Sequence, residues 1–316
     1  MVTVRHLPVG TRLKLALGQT NVERLRIVRR AADDLRRTFA TPQGKPVGIE
    51  DLRAAVDQLD LSDGSVLLVQ SSMTNLIGGG DGASSGPGSA LRYARQVLDL
   101  LLERVGERGT LLMPTQSISG YLGFSHRGEV FDYETMPSRW GLLSELFRRL
   151  PGTVRSIHPH YNISARGPLA RDLIEGHGLS EPYTMDAHTP WYRLKDVGGK
   201  VLLLGLDFDV NSAIHVVEYV HPLEYPRPLY YDKPFPYRTR TWDGEVRTMQ
   251  VALHAIPLPD WALPRFCGEY LQSKHSLYSI QELGRTKLIF YDADAQYRAL
   301  YAEMQDGVCW YDAQYW

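Results

Sequence analysis

Three segments within residues 65–115 decide the fold: SVLLVQSSM at 65–73, SALRYARQVLDLLLERVG at 89–106 and GTLLMPT at 109–115. The first and third are short, continuous apolar runs, which are typical of strands buried on both faces. The middle segment carries leucines at helical spacing, and Ser89 stands where a helix N-cap belongs. A strand, a helix and a strand in this order predict two parallel strands joined by a right-handed crossover.

Further elements extend this unit along the chain. The sequence predicts helices at 140–150 and 211–220, a third buried strand at 200–206, and a strand at 287–294 followed by a final helix. Asp243-Gly244 separates two alternating runs, YRTRTW and VRTMQVAL, which is a hairpin signal. We therefore predict an α/β fold with a central, mainly parallel sheet flanked by helices and an inserted antiparallel β subregion.

The chain is predicted to have an N-terminal helical extension at 1–45 and a single α/β domain at 46–316. Residues 21–39 have helical periodicity and carry six arginines on their polar faces. A phosphate- or nucleic-acid-binding arm is one interpretation. We favour a solvated helix face, which Asp33 and Asp34 partly neutralise.

Composition limits the function classes. The formal net charge of -1 provides no global basic field for nucleic acid. The two cysteines, Cys267 and Cys309, fit no paired motif and suit a reducing compartment. No apolar run approaches the ~18 residues of a membrane span, and the N-terminus lacks the pattern of a signal peptide. We expect a cytoplasmic protein with no membrane partner.

A glycine-rich loop, NLIGGGDGASSGPGS at 75–89, joins the first strand to its helix. This position suits an anion site built from backbone N–H groups, a flexible lid or a plain surface loop. The loop matches neither the dinucleotide-binding nor the P-loop pattern. Its GASSG at 82–86 fits the serine-hydrolase pattern, but the strand ends too early for a nucleophile elbow.

Polar residues follow three predicted strands at their carboxyl ends. Ser71-Ser72 ends the first strand, Thr115 ends the second, and Asp207 follows the third. In a parallel α/β sheet, side chains in these positions face the ligand crevice. Because polar residues follow all three strands in this way, we predict that the chain is an enzyme.

Two segments offer groups for acid–base chemistry. RSIHPHYNISARG at 155–167 places His158 and His160 on either side of a proline, as a structural pair, metal ligands or a general base. A zinc site would need more ligands than these and His188 supply. In NSAIHVVEY at 211–219, His215 and Glu218 share one helix face and can aim an imidazole and a carboxylate at the same cleft.

Taken together in chain order, these motifs resemble the aminoglycoside 3-N-acetyltransferase family of CoA-dependent acyltransferases, over about residues 48–305. The matching segments are LLVQSSM, GTLLMPT, FDYETMPSRWGLLSELFRRLPGTVRSIHPHYNISARGPLA, TPWYRL, KVLLLGLDFDVNSAIHVVEY and GRTKLIFYDA. The resemblance implies transfer of an acyl group, in particular acetyl, from CoA to a primary amine.

The resemblance also assigns residues. The histidine of the family's His-Pro pair, its general base, falls on His158. The catalytic set is completed by Glu218 and Asp209. The residues expected at the CoA pocket are Ser71, Ser72, Thr115 and Ser212. The residues expected at the acceptor are Asp132, Tyr161, Asn211 and His215. No metal is implied, and the oxyanion donors considered are backbone N–H groups near Ser72 and the Thr115 hydroxyl.

Departures from the family pattern bear on the acceptor. Tyr161 and Asn162 stand where antibiotic-modifying members have His-Ser, His160 stands where threonine is common, and Gln70 replaces a histidine. We therefore predict an amino-sugar acceptor, with an aminoglycoside antibiotic or a non-catalytic, ligand-binding relative as alternatives. The expected partners are the amine and acyl-CoA, and the chain is expected to be a monomer or a homodimer.

Charged residues near the signatures favour different acceptors. A polycationic antibiotic suits an acidic pocket, to which Asp132, Asp186, Asp207 and Asp209 would contribute. A sugar nucleotide suits arginines, here Arg139, Arg155 and Arg166.

Overall fold

The computed structural model describes residues 45–77, 87–118, 121–255 and 262–311. The strands are β1 (Val66–Ser71), β2 (Thr110–Pro114), β3 (Val130–Phe131), β4 (Val154–Arg155), β5 (Ile163–Arg166), β6 (Lys200–Leu204), β7 (Phe235–Arg240), β8 (Val246–Val251), β9 (Ser279–Leu283) and β10 (Thr286–Asp292). The α helices are α1 (Ile49–Asp57), α2 (Met73–Ile77), α3 (Pro87–Val105), α4 (Tyr121–Arg127), α5 (Leu142–Arg148), α6 (Ala170–Glu175), α7 (Pro190–Arg193), α8 (Val216–Val220), α9 (Ala262–His275) and α10 (Ala293–Gln305). The predicted helix at 21–39 and the GASSG segment lie outside the described residues, so the two-part division of the chain stays a prediction.

A seven-stranded sheet with the order β4-β5-β2-β1-β6-β10-β9 forms the centre of the fold. The predicted unit is confirmed: β1 runs parallel to β2 on one side and to β6 on the other. The sheet is less parallel than predicted, because β5, β4, β10 and β9 all join it in antiparallel pairs. Short connections account for the β4–β5 and β9–β10 hairpins, since a parallel pair needs a long crossover.

Strand β1 is buried on both faces, as its apolar run predicts. Leu67 and Val69 pack in one hydrophobic cluster with residues of α1, α3 and α5. Val66 and Leu68 pack in the cluster on the opposite face, with residues of α7, α8 and α10. Because side chains alternate along a strand, one short segment supports two helical layers. None of the helices in the described ranges has the length and apolarity that a bilayer crossing requires.

A second sheet, ordered β3-β7-β8, contains the predicted hairpin around Asp243-Gly244. Two of its side chains cover the outer edge of β4. Thr239 Oγ1 donates to the Ile157 carbonyl at 2.5 Å, and Trp242 Nε1 donates to the Arg155 carbonyl at 3.2 Å. The small sheet therefore protects an edge strand and holds the segment that leads to His158.

Arg155 is a buried cation that joins this edge to the rest of the fold. Its guanidinium donates to Asn162 Oδ1, to Ser117 Oγ and to the carbonyls of Tyr133, Met136 and Thr115. The side chain belongs to a residue that is only 5% exposed. Burial lowers the pKa of Arg155 to about 9, which still leaves the group charged at neutral pH. Arg155 therefore has a structural role and is not a ligand for an anionic acceptor.

We expect the Arg155→Met substitution to lower the free energy of unfolding by at least about 3 kcal/mol, because it leaves several buried acceptors without a donor. Urea denaturation measures this loss. The matched control is Arg171→Met, since Arg171 is exposed and its substitution should leave the urea midpoint nearly unchanged. Equal midpoints for both variants would contradict the assigned role.

Candidate active site

The candidate site lies at the edge of the sheet where β1, β2 and β6 have their carboxyl ends. The loop 156–162 reaches this edge because β5 pairs antiparallel with β2, with Ile163 opposite Pro114. The Thr115 N–H donates to the Asn162 carbonyl at 2.9 Å and fixes the loop to the end of β2. Residues 207–215 follow β6 at the same edge. The predicted segments therefore meet at one edge of the sheet, and a ligand crevice at this edge stays a prediction.

His215 and Glu218 form a hydrogen-bonded pair. A short 3-10 helix, Ser212–His215, continues into α8, so the two side chains lie on one face. His215 Nδ1 is 2.8 Å from Glu218 Oε1. Glu218 is 2% exposed, whereas the His215 side chain keeps 13% of its surface accessible. The carboxylate is thus inside the fold and the imidazole is at its surface.

Two further residues, His254 and Tyr311, complete the cluster around Glu218. The Tyr311 hydroxyl donates to Glu218 Oε1 at 2.9 Å. His254 Nε2 is 2.9 Å from the same oxygen. His254 follows β8 and Tyr311 follows α10, so three distant parts of the chain meet at one carboxylate oxygen.

The charge state of Glu218 follows from this environment. Burial alone would raise the pKa of Glu218, but the nearby imidazoles of His254 and His215 lower it to about 2. The group is therefore a carboxylate at neutral pH. Burial and the adjacent Glu218 raise the pKa of Tyr311 well above its usual value, so its hydroxyl keeps the proton that it donates.

Tyr161 faces this cluster from the loop 156–162. Its φ is 52°, a left-handed conformation that costs a non-glycine residue on the order of 1–2 kcal/mol. The Trp191 indole donates to the Tyr161 carbonyl at 2.9 Å and holds the turn. The Tyr161 ring centroid is 6.5 Å from those of His215 and Tyr219. Tyr161 thus lies beside the His215–Glu218 pair, and its place at the acceptor stays a prediction.

His158 and His160 lie in a buried layer together with His177. His158 Nδ1 is held by the main chain of His160, at 3.1 Å from its nitrogen and 2.8 Å from its oxygen. The His158 and His177 rings stack with centroids 4.8 Å apart. His158 has no exposed surface, and its Nε2 has no hydrogen-bond partner among the described residues. Both histidines that flank Pro159 are therefore interior.

Burial lowers the pKa of His158 to about 4, and the pKa values of His160 and His177 also fall well below the usual range. An imidazole with such a low pKa is a weak acceptor for the proton of an ammonium group. The general-base role of His158 stays a prediction from the family resemblance, and the partly accessible His215 is the better placed imidazole.

Three residues expected to contact ligands have structural roles instead. The buried Thr115 hydroxyl bonds to Asn162 Oδ1 and Ser164 Oγ, so it is not directed at CoA or an oxyanion. The buried Asn211 caps the 3-10 helix by accepting from Ala213 N.

The third of these residues is Asp132. Its carboxylate pairs with Arg240 at 3.1 Å and accepts two backbone N–H groups of its own turn. A carboxylate with these partners stabilises the connection to the small sheet. We correct its expected acceptor role accordingly.

The three serines predicted at the CoA pocket lie at the same edge of the sheet. Ser71, Ser72 and Ser212 are each partly exposed. The Ser72 N–H, however, donates to the Leu204 carbonyl at 2.9 Å, which removes this group as an oxyanion donor. Asp209 belongs to the 3-10 helix Phe208–Val210, and its side chain lies outside the described part of the structure. Roles in CoA binding and catalysis for these residues stay predictions.

His215, Glu218 and His254 also place their ligand atoms within 4.8 Å of one another, close enough for a shared metal ion. Glu218 Oε1, however, is in direct contact with both imidazole nitrogens. Ligands of an ion surround the ion rather than each other, whereas these atoms contact one another directly. The expected absence of a metal stays a prediction.

The family model described as aminoglycoside 3-N-acetyltransferase matches residues 68–305. The chain belongs to this family. It is 27% identical over 197 residues to aminoglycoside N(3)-acetyltransferase IX of Micromonospora chalcea, a match that covers 55% of this chain and 63% of that protein. It is 33% identical over 165 residues to aminoglycoside N(3)-acetyltransferase IV of a Salmonella species, covering 51% of this chain and 54% of that protein. The matched region spans less than two thirds of these curated relatives.

Solved structures support the fold of the family. The structure described as AAC-IIIb binary with CoASH aligns with a TM-score of 0.66 at 20% identity, covering 83% of this chain and 97% of that chain. The apoenzyme of the aminoglycoside acetyltransferase AAC(3)-IVa aligns with a TM-score of 0.64 at 23% identity, covering 83% and 90%. At these identities the likeness extends to the fold alone.

Sequence reasoning missed His254 and Tyr311. His254 is a single histidine after a strand pattern, and nothing near it in sequence indicates a catalytic group. Tyr311 lies beyond both the resemblance and the family match. Each joins the site only through tertiary contacts with α8.

The buried histidines make stability depend on pH. Histidines in the unfolded chain bind protons below about pH 6.5, whereas His158 stays neutral in the fold down to about pH 4. Their contribution is complete above pH 6.5 and is lost as the pH falls towards 4. We expect His177→Leu to reduce the fall of Tm between pH 7 and pH 4.5, since it removes one such group. An unchanged slope in calorimetry would contradict this expectation.

Proposed function

We propose that this chain is a CoA-dependent N-acetyltransferase whose acceptor is a primary amine of an amino sugar, the class of compound to which aminoglycosides belong. The observation that carries the proposal is the His215–Glu218 pair, a partly exposed imidazole on a buried carboxylate at the carboxyl edge of the sheet. The names of the relatives, which are aminoglycoside N(3)-acetyltransferases, support the same reaction.

In the proposed mechanism His215 is the general base. Its Nδ1 is bound to Glu218, which leaves Nε2 for the acceptor. An ammonium group cannot attack a thioester, so Nε2 takes one of its protons and the free amine attacks the acetyl carbonyl. The new C–N bond forms, the C–S bond breaks, and the CoA thiolate gains a proton. Glu218 stabilises the imidazolium formed in the first step, as a buried carboxylate does for a catalytic histidine.

The charged residues that the sequence offered for acceptor recognition do not distinguish the acceptors. Asp207 pairs with Lys287 at 2.9 Å, and Asp186 accepts from Ser180 and from His188 N. Arg166 pairs with Leu111 at the opposite end of β2 from the crevice. Within the described residues of the central cluster, Glu218 is the carboxylate close to His215, which favours an acceptor that presents one ammonium group.

Asparagine substitutions test which histidine is the base. We expect His215→Asn to lower kcat by at least about 10²-fold, with thiol release from acetyl-CoA as the assay. The matched variant is His158→Asn, for which we expect less than a tenfold loss in kcat at temperatures well below its Tm. The reverse order of the two losses would return the role of base to His158.

Ligand binding separates catalysis from a folding defect. Saturating acetyl-CoA at ~100 times its Kd stabilises a protein by ~2.7 kcal/mol, so a thermal shift should persist in both variants. Absence of a shift in the unmodified chain, together with no thiol release for any amine, would favour a non-catalytic, ligand-binding relative instead.

A panel of amines tests the acceptor. We expect amino sugars with one ammonium group to have kcat/KM values that change less than about threefold between 50 and 500 mM KCl, because a single buried carboxylate is weakly screened. Aminoglycosides with several ammonium groups serve as the comparison. A steep fall of kcat/KM with salt, together with preference for the polyamines, would support the antibiotic acceptor.

We also propose that the protein works in the cytoplasm, as its free, buried cysteines Cys267 and Cys309 favour. The expectations of a monomer or homodimer, and of no nucleic-acid or membrane partner, stay predictions.

A further inference from the structure

The geometry points to Tyr311 as a positioning residue that sets the proton affinity of the His215–Glu218 pair. The kinetic test of this inference rests on the proposed function, whereas its NMR test does not. Tyr311 lies in the C-terminal segment 306–311, which the family match does not include. The family pattern therefore does not assign a role to this tyrosine.

The residues between the end of α10 and Tyr311 are packed into the protein interior. After α10 ends, Val308, Cys309 and Trp310 are all buried, with exposures of 7%, 1% and 4%. The Val308 N–H donates to the Glu303 carbonyl at 2.9 Å and turns the chain back towards α8. Tyr311 follows at 7% exposure and belongs to the same hydrophobic cluster. Its hydroxyl is thus placed by packing along the whole segment.

The Tyr311 hydroxyl interacts with both members of the pair. It donates to Glu218 Oε1 at 2.9 Å and lies 3.4 Å from His215 Nδ1. The hydrogen bond has two effects: it holds the carboxylate in the position that fixes the His215 ring, and it reduces the negative charge available to the imidazole. A phenol in this place therefore opposes the tendency of a buried carboxylate to trap the imidazole in its protonated form.

Other ionisable groups also face this carboxylate. The titratable groups around Glu218 and Tyr311 are His215, His254, Tyr225, Tyr230 and Cys267. Within the described residues, hydrogen bonds to Glu218 Oε1 come from His215 and Tyr311. Removing the Tyr311 hydroxyl therefore changes one direct bond to the carboxylate and leaves the other in place.

The test is the Tyr311→Phe substitution. We expect kcat for acetyl transfer to fall about tenfold, the size of loss typical for a hydrogen bond to a charged group. KM for acetyl-CoA should stay unchanged. The rising limb of the pH profile of kcat/KM should move up by at least about half a pH unit, because a more basic carboxylate favours the protonated imidazole.

The matched control is Tyr225→Phe. The Tyr225 ring centroid is 6.4 Å from that of Tyr311, and its hydroxyl makes no hydrogen bond to Glu218. This variant removes the same atom from the same cluster, so its pH profile should coincide with that of the unmodified protein. A lower Tm with an unchanged pH profile in Tyr311→Phe would overturn the inference and leave Tyr311 a packing residue.

A second readout does not depend on catalysis. Nitrogen-15 NMR of the histidine side chains follows the titration of His215 in the free protein, with His215→Asn to assign its signal. We expect its midpoint to rise in Tyr311→Phe and not in Tyr225→Phe. If no amine is acetylated, the proposed function fails while this measurement still decides the role of Tyr311. An unmoved midpoint would reject the inference.

Discussion

A buried negative charge needs donors, and the carboxylate of Glu218 imposes this requirement on the site. Without partners, a carboxylate that is 2% exposed would be neutralised by taking up a proton. His215 and Tyr311 donate to one of its oxygens, and His254 adds a close contact. The convergence of these elements on α8 follows from the single charge that they surround.

Two kinds of buried polar group support this arrangement: a charged arginine and neutral histidines. Arg155 stays charged and is satisfied by neutral acceptors, most of them carbonyls. His158 and His177 stay neutral because burial lowers their pKa values. Arg155 connects the loop 156–162 to the end of β2. The neutral histidines form a buried layer beneath this loop. Among the histidines close to this loop in the described structure, His215 and His254 keep 13% and 24% of their side-chain surface accessible.

Tyr161, which stands where family members have a second histidine, lies beside the His215–Glu218 pair. The left-handed backbone at Tyr161 directs its ring to the His215–Glu218 pair. A motif alone therefore does not fix the chemistry of a site, which depends on the side chains that meet there.

The sequence by itself determined the α/β class, the buried strands β1, β2 and β6, the hairpin at Asp243-Gly244 and the edge of the sheet that carries the crevice. These features follow from local hydrophobic patterns and turn chemistry. It also paired His215 with Glu218, because a separation of three residues fixes neighbours on a helix. Hydrophobic patterns, turn residues and helix spacing do not predict contacts between residues that are distant in the sequence.

Only the tertiary structure decided which polar groups are buried, and therefore which can react. Thr115 and His158 stand at promising positions in the sequence, but packing removes both from solvent. Antiparallel pairing at both edges of the sheet and the return of the C-terminal segment to α8 depend on contacts between distant residues. His254 and Tyr311 reach Glu218 through those contacts alone, because burial and desolvation are properties of the whole packed chain.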